Sequence, residues 1–159
     1  MSDKDPAPTF IVDHMLGSLA RWLRMLGYDS HYDKILSDNE IINFGRKEGR
    51  KILTRDRELA ERGGGFYVSS TELEEQLVTV AKEFSLSYRP DSMRCSVCNG
   101  RLQKIEADSV RSKIPKKSFE NAKEFWRCDS CRKIYWDGTH WNGIMDRFER
   151  LGLIRGRVQ

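Results

Sequence analysis

The first half of this 159-residue chain alternates short apolar runs with stretches of helical periodicity, and that alternation restricts the fold more than any other feature. TFIVD and KILTRD each hold an apolar run that an aspartate closes. Runs this short, bounded by polar residues, read as buried strands. After the first, Met15, Leu16, Leu19, Trp22, Leu23 and Leu26 recur at helical spacing, and Gly27 stops the series as a C-cap. Tyr28–Lys34 carries a weaker strand signal. Ser37-Asp38-Asn39-Glu40 has the form of a capping box, opening a helix through Ile41, Ile42 and Phe44 that ends at Gly49. Lys51–Thr54 reads as the next strand, Arg55–Arg62 as a short helix, Gly63-Gly64-Gly65 as a turn and Phe66–Ser69 as a further strand. Thr71–Phe84 reads as a helix with Leu73, Leu77, Val80, Ala81 and Phe84 inward, and Thr71 with Glu74 makes a second capping box. The pattern predicts an α/β fold, a parallel sheet with right-handed crossovers and helices on both faces.

In such a sheet, ligands bind at the carboxyl ends of the strands. Asp13 and Asp56 close strands and Asp38 opens the helix between them, so the acids are expected to face one another. Clustered carboxylates repel, and a hard divalent cation such as Mg²⁺ or Mn²⁺ is what would gather them. The expectation is metal-dependent phosphodiester chemistry with Asp13, Asp38 and Asp56 as ligands. A blander role exists for Asp38 and Asp56, as acids stabilised at helix N-termini. Arg21 and Arg55 are the candidate phosphate contacts near this centre, against the simpler alternative of ion pairs with the same aspartates.

Cys95-x-x-Cys98 and Cys128-x-x-Cys131 use all four cysteines of the chain. Four thiolates bind Zn²⁺ tetrahedrally at roughly 2.3 Å, and a two-residue gap lets one turn present both sulfurs. Disulfides are disfavoured in a cytoplasmic chain. A closed tetrathiolate zinc is structural, since it keeps no open position. Between the pairs, Val110–Lys123 carries Arg111, Lys113, Lys116, Lys117 and Lys123 against the single acid Glu120, with Phe119, Phe125 and Trp126 interleaved or adjacent. Cations with aromatics suit single-stranded nucleic acid, so Lys113, Lys116 and Lys117 are candidate phosphate contacts. The alternative is a solvated loop whose aromatics pack on the cysteine module.

Charge divides unevenly. Residues 1–90 balance at −2 and residues 91–159 at +6, which zinc with four thiolates would reduce to about +4. Such asymmetry points to a polyanionic partner. The first eight residues read as a disordered tail without a signal-peptide core, and no apolar stretch approaches the ~20 residues of a membrane span. A cytoplasmic protein is expected. The periodicity breaks at Ser85–Arg94, where Pro90, Asp91 and Ser92 suggest a linker. The expected organisation is a domain over 9–88 and a zinc module over 89–153, the latter ending in a helix with Ile144, Met145, Phe148 and Leu151 inward.

FIVDHMLGSLARWLRMLGYD, EGRKILTRDRELA, CSVCNG and FWRCDSCRKIYWDGTHW closely resemble the Mut-seven C-terminal RNase family, from about Phe10 to about Leu153. The resemblance implies a PIN-like nuclease domain carrying a C-terminal zinc ribbon, a divalent metal at an acidic centre, and RNA as substrate. It places the first acid on Asp13, the helix-opening acid on Asp38, and the acid of the T-x-D turn on Asp56. A fourth acid is usual in such nucleases, and Asp29, Asp33, Glu40 or no residue fills it here. The expected function is a metal-dependent ribonuclease acting on single-stranded RNA. The alternatives are an RNA- or ribonucleoprotein-binding module with a weak or silent pocket, and a DNA nuclease or other phosphoesterase.

Overall fold

The computed structural model, which describes residues 6–154, bears out the alternation of strands and helices. β1 (Phe10–Val12) leads through a 3-10 turn at His14–Leu16 into α1 (Gly17–Leu26). There follow β2 (Ser30–Tyr32), α2 (Asp38–Glu48), β3 (Lys51–Thr54), α3 (Arg57–Gly63), β4 (Phe66–Tyr67) and α4 (Leu73–Phe84). The strands make a four-stranded parallel sheet in the order β2-β1-β3-β4.

Both faces of the sheet are covered, and the strand residues sort between them by the two-residue period of extended chain. Phe10, Val12 and Leu53 join Leu19, Leu23, Leu77 and Val80 in the core under α1 and α4. Ile11 and Ile52 point the other way, to Ile41, Ile42 and Leu59 of α2 and α3. This double burial explains why β1 is a continuous apolar run with no polar alternation.

The helix ends follow the predicted chemistry in part. Ser37 accepts from Glu40 N–H and Glu40 accepts from Ser37 N–H, a complete capping box. Gly27 (φ 114°) and Gly49 (φ 67°) close α1 and α2 in the left-handed region. The second box at Thr71 does not form. The helix starts two residues later, at Leu73, with Glu72 as its N-cap and no side-chain cap. Glu74 is drawn outward to Arg150, which donates two hydrogen bonds at 3.0 and 2.8 Å, so its carboxylate is not available to reach back.

The second half builds a three-stranded antiparallel sheet from β5 (Leu102–Ile105), β6 (Phe125–Cys128) and β7 (Ile134–Trp136). A short helix, α5 (Lys116–Asn121), interrupts the insert between β5 and β6. The last helix, α6 (Thr139–Arg150), packs against the first half: Ile144 and Phe148 enter the core beneath α1 and α4. Phe148 meets Trp22 edge-on at 5.6 Å between ring centroids, and the Arg147 guanidinium lies over the same indole, 4.7 Å from its centroid.

The stretch expected as a linker is fastened down. Tyr28 donates its hydroxyl to Ser87 O and accepts the Ser87 N–H, while Arg89 N–H bonds Leu26 O. Leu86 and Met93 are buried. The expected tail falls partly outside the described residues; within them, Ala7 packs against the core. Among the described residues no helix is long and apolar enough to cross a membrane.

Candidate acidic centre and cysteine site

Because β2 and β3 flank β1, the chain leaves β1 toward α1 on one face and leaves β3 toward α3 on the other. The crevice between these diverging connections is the topological switch point where doubly wound sheets bind ligands. Asp13 sits there directly after β1, with Thr54, Arg55 and Asp56 opposite it at the end of β3.

Asp13 is 2% exposed and still well hydrogen-bonded. Its Oδ2 accepts from Thr54 Oγ1 at 2.7 Å, and its Oδ1 accepts from His14 N–H at 2.8 Å and lies 3.0 Å from His14 Nδ1. The Thr54 hydroxyl in turn accepts the Asp56 N–H at 2.9 Å. Asp56 caps α3 by accepting Leu59 N–H at Oδ1, 3.2 Å, so its blander role as a helix cap is real. Capping engages one of the two carboxylate oxygens. No Lys or Arg pairs with the Asp13 carboxylate among the described residues; the basic side chain against it is the His14 imidazole. A buried carboxylate ordinarily needs a compensating cation.

Asp38 occupies the first turn of α2 on the exposed surface, beside its capping box. Among the described residues, the four cysteines are the group of three or more metal-binding side chains whose ligand atoms lie within 4.8 Å of one another. The three aspartates therefore do not converge that closely. The candidate fourth acids separate by position. Asp29 precedes β2 at the opposite edge of the sheet, held by Arg50, Arg94 and Asn99. Glu40 is engaged in its capping box. Asp33 follows β2 as Asp13 follows β1, since Tyr32 pairs in register with Val12. It therefore lies at the carboxyl edge.

The arginines also separate. Arg21 lies exposed on α1. Arg55 donates weakly to Ser69 O at 3.4 Å, and its Nε is a buried donor with no acceptor among the described residues. Such a group costs free energy until something accepts from it. Sequence reasoning missed two contributors: Thr54 as the bridge, and Tyr32, whose hydroxyl donates to His14 O at 2.7 Å and fixes the turn after β1. The T-x-D spacing was the available clue to Thr54; Tyr32 had none, because only the β1–β2 register brings it there.

All four cysteines converge. Cys95 Sγ lies 3.6 Å from Cys131 Sγ and Cys98 Sγ 3.4 Å from Cys128 Sγ. A tetrahedral ion with bonds of roughly 2.3 Å holds its sulfurs roughly 3.8 Å apart, so the donor set fits a metal such as zinc. The two turns match: Asn99 and Arg132, each just after the second cysteine of its pair, have φ of 70°. Cys128 accepts N–H bonds from Ser130 and Cys131. Burial opposes ionisation of that thiol, but the N–H donors outweigh it and bring its pKa down to about 7.

This module is stitched to the edge of the parallel sheet opposite Asp13. Buried Arg24 donates to Ser30 O in β2 and to Ser96 O in the first cysteine turn, both at 2.9 Å. Asn99 donates to Asp29 at 2.6 Å. Arg24 is thus a structural joint, away from the acidic edge. Lys113, Lys116 and Lys117 stand exposed on the insert. Its Phe119 stacks on Phe125 at 5.5 Å with Arg111 above it, so this aromatic packs on the module as the simpler alternative had it.

Compared with known proteins, the chain matches a family model described as Mut7-C RNAse domain over residues 8–148. No curated protein sequence matches it.

Proposed function

The chain belongs to the Mut7-C RNAse domain family, and from that premise we propose that it is a metal-dependent ribonuclease whose PIN-like acidic centre hydrolyses RNA phosphodiester bonds. The observation that carries this is Asp13: a carboxylate 2% exposed, at the switch point of the sheet, with its orientation fixed and, among the described residues, no Lys or Arg paired with it. The oxygen-only donors Asp13 and Asp56 suit Mg²⁺ or Mn²⁺, which bind through one or two carboxylates and keep several waters. That sparse requirement accommodates Asp38 and Asp33 as ligands through water.

A divalent ion held by these acids would lower the pKa of a bound water and neutralise charge on the phosphate. The chain's own residues do the positioning. Thr54 and the His14 N–H hold the Asp13 carboxylate in one orientation, and the α3 cap holds Asp56. Arg55, with its unanswered Nε, is the proposed phosphate contact at the centre, and Arg21 a further one along α1. Lys113, Lys116 and Lys117 supply phosphate contacts outside it. A structural Zn²⁺ on Cys95, Cys98, Cys128 and Cys131 holds the second module. We take 9–88 as the nuclease unit and 89–153 as the ribbon unit, with α6 returning to the first. The substrate class is single-stranded RNA in the cytoplasm.

The second reading is an RNA- or ribonucleoprotein-binding module with a silent pocket, and the spread of the three aspartates favours it. One experiment separates them. Purified protein is incubated with labelled single-stranded RNA, duplex RNA and DNA in Mn²⁺, Mg²⁺ or EDTA. Cleavage of single-stranded RNA that EDTA abolishes supports the enzyme. Binding without cleavage in either metal supports the silent module.

A further inference from the structure

A cavity of about 260 Å³ lies where the cysteine module meets α1 and α6. Trp126, Tyr135, Trp136 and Trp141 line it, with Met25 of the last turn of α1 at its side. All four aromatic residues are only partly buried. Trp126 and Trp141 stand 6.2 Å apart between centroids, inclined at 34°, so the wall is a set of offset ring faces. A second, polar cleft of about 420 Å³ adjoins the first, with Met93, Arg94 and Leu102 lining both, and the two together form a groove. Since α1 runs back from Asp13 to the start of β2, this groove lies at the sheet edge opposite the acidic centre.

The charge of the groove says what it receives. Arg94 is neutralised by Asp29 at 3.4 Å. Exposed Arg101 lines the polar cleft and exposed Lys133 the aromatic cavity, its ammonium 5.5 Å from the Tyr135 ring centroid; among the described residues neither has an acidic partner, and the cleft's Arg89 and Asp91 cancel in formal charge. The half of the chain that builds most of the groove carries an excess of +6, about +4 with zinc on its thiolates. An apolar protein partner would want an apolar rim; cations without acidic partners beside half-buried rings fit a strand of phosphates carrying flat bases.

We propose that this groove is a second RNA site, remote from the acidic centre, in which the aromatic cavity takes one unstacked base of single-stranded RNA while Arg101 and Lys133 meet the flanking phosphates. It rests on RNA being the ligand of this family member, and it assigns Trp126, Tyr135, Trp136 and Trp141 a role in holding the strand. Duplex RNA, whose bases are stacked and paired, has none to offer the cavity.

The test uses full-length, zinc-loaded protein carrying Asp56→Asn to suppress cleavage. Its ligands are a short uridine oligoribonucleotide and an abasic ribose-phosphate strand of equal length. Trp136 is the tryptophan to change, because it is not packed against the main core as Trp141 is. Trp136→Ala should weaken the uridine strand about 10–100-fold, Trp136→Phe should restore most of it, and neither should alter the abasic strand. The Arg101→Ala/Lys133→Ala variant should weaken both strands. Should Trp136→Ala lose zinc, quenching of tryptophan fluorescence in the otherwise unaltered protein decides: quenching by the uridine strand but not the abasic one upholds the site. Equal binding of the two strands, parent-like binding by Trp136→Ala, or a preference for an acidic peptide over RNA overturns it. The catalytic proposal is read separately, from cleavage with Asp56 intact, so a silent centre leaves this site standing and an active one does not rescue it.

Discussion

Thr54 Oγ1 donates to Asp13 Oδ2 at 2.7 Å and accepts the Asp56 N–H at 2.9 Å, so one buried hydroxyl ties the acid after β1 to the acid opening α3. Thr54→Val keeps the shape and removes the link. It leaves a buried carboxylate oxygen without its donor, at a cost of about 1–3 kcal/mol. Denaturant unfolding should show that loss, and RNA cleavage should fall with it. Thr54→Ser should recover most of both; parent-like stability in the valine variant would count against the bridge.

Asp13→Asn and Asp56→Asn should each abolish RNA cleavage while leaving the protein folded. The stability effects should be small, because asparagine caps a helix about as well as aspartate, and at position 13 its oxygen can keep the His14 N–H while the Thr54 hydroxyl turns to accept from its amide nitrogen. Asp56→Ala should cost about 1 kcal/mol through the lost cap. Melting curves and cleavage of labelled RNA check both halves. Cleavage that survives either asparagine would move the chemistry elsewhere.

Asp29 links acid stability to the joint between the modules. Burial opposes its ionisation, but hydrogen bonds from Arg50 and Asn99 and the charge of Arg94 hold its pKa below the usual aspartate range. A carboxyl with a lowered folded pKa stabilises the fold above its unfolded pKa of about 3.9, and loses that contribution as pH falls through the folded value. Asp29→Asn should therefore destabilise the protein by about 1–3 kcal/mol at pH 7. The gap from the parent should close below pH of about 4. A gap that is constant across that range would show that charge is not what Asp29 contributes.

Zinc removal should loosen more than the ribbon. Cys98→Ser or a strong chelator should release one zinc per chain and expose the backbone of residues 95–136, because structural zinc contributes directly to folding. Arg24 then loses its acceptor at Ser96 and Asp29 loses Asn99, so protection of β2 amides should fall too. Metal analysis with hydrogen exchange reads both. Protein that contains no zinc as purified, with freely reactive thiols, refutes the assignment.

Lys113→Ala, Lys116→Ala and Lys117→Ala combined should weaken RNA binding alike for all sequences, since phosphate contacts carry no base information. On a single strand, the slope of log affinity against log salt should flatten by about 0.7 for each phosphate that a lysine no longer neutralises. Metal affinity at the acidic centre should not change. An unaltered slope would make the insert a solvated loop.

Much of this was written in the chain. The two-residue alternation of Phe10, Ile11 and Val12 between opposite cores, the Ser37–Glu40 capping box and the left-handed closures at Gly27 and Gly49 are local effects, and local effects are legible in order along a sequence. The cysteine spacing likewise announced its own convergence, because two-residue gaps leave a turn little choice. What failed was where a local rule met a distant competitor. Thr71 and Glu74 had the form of a capping box, but Arg150, 76 residues away, claims the Glu74 carboxylate. The break at Ser85–Arg94 looked like a tether until Tyr28 and Leu26 bound it. The candidate acids were named from the chain alone. Their separation was a tertiary matter, since only the register of β2 on β1 sets Asp33 at the same edge as Asp13 and sends Asp29 to the other edge with the cysteine module. The chain by itself determines which groups are available and which turns they prefer. Strand order and helix docking decide which of them share an edge, because those depend on pairings between residues that no local pattern connects.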